Sequence, residues 1–117
     1  MSRRVLVCGG RRYGERATVF DALDRIHTSE PISIIIHGGA PGADRLAAAW
    51  ATGRCVSSVC VPADWERFGR GAGPMRNTAM LVDWTPDLVV AFPGGAGTAD
   101  MVGKAERGGI RVMRMWP

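Results

Sequence analysis

A chain of 117 residues, 46% apolar and 22% charged, has the length of one domain and the composition of a globular protein rather than a disordered one. No apolar run is long enough to span a membrane, and the formal charge of +4 permits an anionic partner without providing a dedicated nucleic-acid tail. Residues 1–117 are expected to form one domain, with no membrane partner. Met1-Ser2-Arg3-Arg4 precedes too short an apolar patch for a signal-peptide core, which predicts a cytoplasmic protein. The three cysteines lack C-x-x-C spacing, and Cys8 and Cys60 lie in apolar runs, so buried thiols are expected there and no metal is implied.

Val5 to Cys8 is a short apolar run that stops at Gly9-Gly10, a first strand and its loop, continuing through Arg11-Arg12-Tyr13-Gly14-Glu15. Val19, Leu23 and Ile26 then stand at i, i+4 and i+7, which predicts a helix from a Thr18 cap to before Pro31. Ser33 to His37 is β-branched and apolar, a second strand, and Gly38-Gly39 follow at once. Leu46, Ala47, Ala49 and Trp50 belong to a small-residue helix ending near Gly53, and Val56 to Val61 is a third strand closed by Pro62. The stretch from Pro62 to Gly73 is non-periodic and reads as a functional loop. Pro74 suits the first residue of a third helix, with Met75, Ala79, Val82 and Trp84 on its inner face until Thr85-Pro86 breaks it.

Leu88 to Phe92 is an unbroken apolar run, the pattern of a strand buried on both faces, and it breaks into Pro93-Gly94-Gly95-Ala96-Gly97. A helix is predicted from Gly97 or Thr98 to Gly108-Gly109, and Ile110 to Met115 supply a fifth strand. Gly94, Gly95 and Gly97 let a ligand approach main-chain N–H groups where a helix begins, either an anion cradle or a plain strand-to-helix turn. The alternation predicts an α/β fold with a parallel sheet of about five strands and helices on both faces. Gly9-Gly10, Gly38-Gly39 and Gly94-Gly95 then all fall on the rim at the carboxyl ends of the strands, where such sheets bind ligands.

Neither G-x-G-x-x-G nor a Walker motif is present, and there is no nucleophile elbow or clustered His and Cys set. As an ordered set, Gly9-Gly10-Arg11-Arg12-Tyr13, His37 to Asp44, Ala63-Asp64-Trp65, Gly71 to Asn77 and Pro93 to Met101 resemble the SLOG superfamily, and within it the YspA-type (cpYpsA-related) domain of small bacterial and phage proteins. The resemblance covers nearly the whole chain. It implies a Rossmann-like three-layer sandwich that binds a nucleotide or nucleotide-derived ligand as a sensor or processing domain. The chain is more distantly similar to the Lonely Guy phosphoribohydrolases, whose motif is P-G-G-x-G-T-x-x-E with an upstream arginine. Pro93 to Thr98 match, and Arg76 stands in a plausible place for that arginine. Met101 occupies the glutamate position, and Asp100, one residue earlier, is turned from it by about 100° on a helix.

These readings define the candidate ligand residues: Gly9, Gly10, Arg11, Tyr13, Gly38, Gly39, Asp44, Arg76, Asn77, Gly94, Gly95, Gly97 and Thr98. Arg76 and Asp100 are the candidates for catalysis, with Asp64 a second available carboxylate. Asp44 either contacts a ribose or caps the second helix. His37 is either a general base or a histidine satisfied by neighbouring backbone, and His27 reads as a partner for the first helix's C-terminus. Tyr13, Trp65 and Phe68 could stack on a base or cap the core edge.

Three functions follow: nucleotide-ligand binding first, with no cofactor; N-glycosidic hydrolysis of a nucleoside monophosphate second; single-stranded nucleic-acid binding, suggested by the related fold of DprA, third. Met113, Met115 and Trp116 beside a sheet edge suit a homo-oligomer, with a dimer favoured.

Overall fold

The computed structural model describes residues 2–116. Five parallel strands form one sheet in the order β3-β2-β1-β4-β5, namely β1 (Arg3–Cys8), β2 (Ile32–His37), β3 (Ser57–Cys60), β4 (Leu88–Ala91) and β5 (Arg111–Arg114). The order reverses between β1 and β4, so the switch point of the sheet lies between their carboxyl ends. The predicted α/β fold is the one observed.

Strand residues alternate between two cores. Val5, Val7, Ile35, Leu88 and Val90 pack under α1 (Arg16–Ser29) and α2 (Ala43–Gly53), around the fully buried Trp50. The Trp50 indole N–H donates to Asp24 Oδ1 at 2.9 Å, so its one polar atom is satisfied inside that core. Leu6, Cys8, Ile36, Val89 and Ala91 face the other side, under α4 (Ala72–Trp84) and α5 (Ala96–Arg107). The apolar run of β4 is buried at every position, as a central parallel strand requires.

Several local expectations are corrected. α1 begins at Arg16, two residues before the predicted Thr18 cap, once the chain has turned through a bond from Arg16 N–H to the Gly14 carbonyl of 2.9 Å. The stretch after Pro62 is not wholly irregular: Asp64 accepts from the Arg67 N–H at 3.2 Å and caps the short helix α3 (Trp65–Phe68), which a 3₁₀ turn at Gly69–Gly71 joins to α4. Pro74 sits inside the first turn of α4 rather than at its start, and Met75 and Val82 point to solvent. The inner face is Asn77, Met80, Leu81 and Trp84, because a polar residue occupies an interior position the apolar period could not register. α5 starts at Ala96, a residue earlier than predicted. Cys60, expected to be buried, is exposed with Cys55, because β3 is an edge strand; Cys8 is buried as expected.

Candidate functional site

The loops after β1, β2 and β4 meet at the switch point and floor a cleft of about 810 Å³. Gly10 N–H donates to the Pro93 carbonyl at 2.9 Å, tying the first loop to the fourth. Gly42, at φ +85°, lies so close to the Gly10 carbonyl that any Cβ there would collide with it. Main chain therefore forms much of the floor, and a ligand can approach N–H groups directly.

The walls come from helices. α5 opens onto the cleft through Gly95, Ala96, Gly97 and Thr98, and its N-cap Gly95 supplies no side-chain cap. The first bond of this helix runs from the Ala99 N–H to the Gly95 carbonyl at 3.0 Å, so the N–H groups of residues 96–98 have no helical partner. Arg76, from α4, lines the same cleft. Its Nη1 donates to the Gly38 carbonyl at 3.1 Å and to the Val61 carbonyl at 3.4 Å, and its Nε donates to Asn77 Oδ1 at 3.0 Å. These bonds hold the guanidinium across the ends of β2 and β3 and leave Nη2 available. Trp65, half exposed at 49%, lines the mouth and lies against Gly73, where a Cβ would come 3.2 Å from its ring.

A polar chain crosses the cleft wall. Asn77, buried at 4% exposure, donates through Nδ2 to Asp100 Oδ2 at 3.0 Å and to the Gly97 carbonyl at 3.2 Å. Lys104 Nζ pairs with Asp100 at 3.0 Å and donates to the Pro74 carbonyl at 2.7 Å. Partial burial would raise the Asp100 carboxyl, but the hydrogen bonds from Asn77 and Lys104 outweigh it and hold Asp100 below the ordinary carboxylate range. Asp100 lines the cleft, whereas Met101 is fully buried in the core under α4 and α5.

Asp44 neither caps α2 nor stands free: its Oδ2 accepts from the N–H groups of Gly38 at 3.1 Å and Ala40 at 3.2 Å, pinning the loop after β2. Burial pushes its carboxyl up, against those backbone bonds and the nearby Arg76 and Arg11 charges. His37 takes its structural reading, with Nδ1 accepting from the Gly39 N–H at 3.0 Å. Burial holds its pKa down. His27, in the last turn of α1, accepts through Nδ1 from the Ile32 N–H at 2.9 Å, so the ring ties α1 to β2. Cys8 lines the cleft from below, its thiol pushed up to about 12 by burial.

Of the sequence-selected residues, Gly9, Gly10, Arg11, Gly38, Gly39, Asp44, Arg76, Asn77, Gly95, Gly97, Thr98 and Asp100 line the cleft together. Tyr13 does not: it stacks on Phe92 with ring centroids 5.4 Å apart. Gly94 lies beneath the lining, where a Cβ would meet the Thr98 hydroxyl. Asp64 is taken up by the cap of α3, and Phe68 lies under the Arg67 guanidinium at 5.1 Å from the ring centroid. Sequence reasoning missed Arg70, at the cleft mouth, and Lys104; the i,i+4 spacing of Asp100 and Lys104 was the available signal for the latter. Among the described residues no group of three or more His, Cys, Asp or Glu side chains is placed to hold a metal, and no helix is long and apolar enough to cross a membrane.

Fold and cleft define a doubly wound α/β domain with a glycine-floored cavity at its topological switch point. Residues 3–68 match the YspA, cpYpsA-related SLOG family, and the chain belongs to that family. It is 41% identical over 119 residues to the Gene 61 protein of Mycobacterium phage D29, a match covering 95% of this chain and 94% of that protein. Its fold is similar to DNA processing protein A (DprA) from Streptococcus pneumoniae, with a TM-score of 0.54 at 15% identity. That likeness covers 95% of this chain and 58% of the DprA chain, so the present chain spans little more than half of that structure.

Proposed function

We propose that the chain binds a nucleotide or nucleotide-derived ligand in this cleft, as a sensing or processing domain. The observation that carries the reading is that the N–H groups without a helical partner at the start of α5 and the Arg76 side chain line one cleft, at the switch point. A phosphate between them takes main-chain bonds from residues 96–98 and charge-assisted bonds from Arg76 and Arg11. The 810 Å³ cleft accommodates a nucleoside beside that phosphate, and Trp65 offers its base an aromatic face at the mouth. The test is a thermal-shift panel of nucleoside mono-, di- and triphosphates. At least one should raise the Tm at millimolar concentration, and Arg76→Ala should remove that rise; a flat panel overturns the reading.

A second reading, hydrolysis of the N-glycosidic bond of a nucleoside monophosphate, is favoured by one specific observation. Two carboxylates line the cleft, and of these Asp44 is bound to the Gly38 and Ala40 N–H groups, which leaves Asp100 as the candidate, while the side chain at 101 is turned into the core. A carboxylate held ionised there is suited to stabilise an oxocarbenium-like transition state. Chromatographic detection of free base decides it: release should fall to background in Asp100→Ala, and no release from the wild type ends the idea.

The same reading includes a cytoplasmic setting, where nucleotides are abundant, and a homodimer across the edge strand β5. Met113 and Met115 are half-buried there, and Trp116 is 38% exposed. Light scattering should give twice the chain mass; a monomer at all concentrations removes the dimer.

A further inference from the structure

Beyond the cleft, a second groove of about 470 Å³ is lined by Arg11, Arg12, Arg16 and Arg45, with Tyr13 among them. No acidic residue lines it. Among the described residues, Arg3, Arg25, Arg54 and Arg114 pair with carboxylates, whereas none of the four groove arginines comes within 4.0 Å of one. The Asp and Glu nearest in sequence are otherwise placed: Glu15 is not part of the lining, and the Asp44 carboxylate is turned to the Gly38 and Ala40 N–H groups.

This placement is unfavourable for the protein alone. Arg16 is the first residue of α1 and Arg45 lies in the first turn of α2, where the positive end of the helix dipole opposes a cation. No acidic residue in the first turn of α1 relieves it. Arg16 and Arg45 stand at two helix starts and Arg11 and Arg12 in the loop before α1, so an anion joining the four would offset their mutual repulsion. Arg16 is held in place by the Phe20 ring, its guanidinium carbon 4.3 Å from the ring centroid.

The groove adjoins the cleft. Arg11 lines both, and the Gly10-Arg11 backbone packed against Gly42 runs between them, with a Cβ at Gly42 excluded by the Gly10 carbonyl. We propose that the groove is a second anion subsite, which takes the far phosphate-bearing half of a ligand whose first nucleotide unit fills the cleft, so that the ligand class is a phosphate-bridged dinucleotide. The proposal rests on the nucleotide reading of the cleft. A nucleic-acid strand fits less well, because the one aromatic in the groove, Tyr13, is already stacked on Phe92, and a strand binder offers successive free aromatic faces.

Calorimetry at low ionic strength tests it with the common nucleoside monophosphates, the corresponding dinucleoside diphosphates, inorganic pyrophosphate and a short oligothymidylate. The comparison variant is Arg12→Gln/Arg45→Gln, two exposed positions outside the cleft. A dinucleotide should bind the wild type about tenfold or more tighter than the matching mononucleotide. In the variant that gap should shrink to about twofold or less, while mononucleotide affinity holds. Equal affinities in the wild type, or a gap that survives in the variant, overturn the proposal. So does oligothymidylate binding that exceeds the dinucleotide's and vanishes in the variant, which would assign the groove to a strand. If no nucleotide binds the wild type, the cleft reading fails, and pyrophosphate alone decides the groove. Wild-type pyrophosphate binding lost in the variant supports an anion subsite; its absence overturns one.

Discussion

Asn77 and Asp100 are joined by a 3.0 Å hydrogen bond across the two helices that wall the cleft, and the other end of the same amide accepts from Arg76. One buried side chain thus sets the position of both charged groups. Asn77→Ala should lower stability by about 1–3 kcal/mol, the range for stranding buried hydrogen-bonding partners, and should weaken any ligand that Arg76 holds. Lys104→Ala, which loosens only the Asp100 side, should leave that affinity closer to the wild type. Urea unfolding with ligand titration separates the two; equal affinity losses would show that Asn77 does not aim Arg76.

Gly42→Ala should destabilise the fold. It forces a Cβ onto a residue at φ +85° and against the Gly10 carbonyl, and strain of that kind costs about 1–3 kcal/mol. Gly14→Ala, where nothing lies within 4 Å of the added Cβ, is the matched control. Thermal unfolding of both proteins should show a lower Tm for Gly42→Ala alone.

His37 predicts a pH dependence. Burial depresses its folded pKa below the ordinary 6.5, so between those values the unfolded chain binds the extra proton. Its contribution is complete above about pH 6.5 and is lost as the pH falls through the folded value. In His37→Asn the amide oxygen can still accept from the Gly39 N–H, and the slope should flatten. Urea midpoints across pH 5 to 8 compare them, and parallel curves would refute the assignment.

The three thiols should divide two to one. Cys55 and Cys60 are exposed, while Cys8 is buried with its pKa raised to about 12, so it is almost entirely protonated at neutral pH. A disulfide reagent should label two sulfurs in the native protein and the third only after unfolding. Fast labelling of all three would contradict the packing around Cys8.

The strands were legible because a parallel sheet covered on both faces leaves unbroken apolar runs, and Leu88 to Ala91 is the plainest case. The rim was legible because three glycine doublets follow three of those runs. What escaped depended on neighbours that are distant in sequence. The sequence offers Asn77 as a ligand contact, but nothing local shows that Gly97 and Asp100 arrive from another helix to bury it, so the inner face of α4 was misjudged. Cys60 sits in an apolar run, yet nothing local says that its strand lies at the sheet edge. The four-residue helix α3 is too short to show a period and depends on the Asp64 cap. Tyr13 shares the rim loop with Arg11, but its ring turns to Phe92.

The bond between Gly10 and Pro93 has a mechanical consequence. It clasps the first quarter of the chain to the last, and residues 96–98, Arg76 and Asp100 all lie beyond the segment that carries the family match. Neither half owns a complete cavity, so an occupant of the cleft bridges both and works as a rivet between them. Its signature is kinetic: a bound ligand should slow unfolding more than it speeds folding, because the contacts it bridges close late and over a long loop.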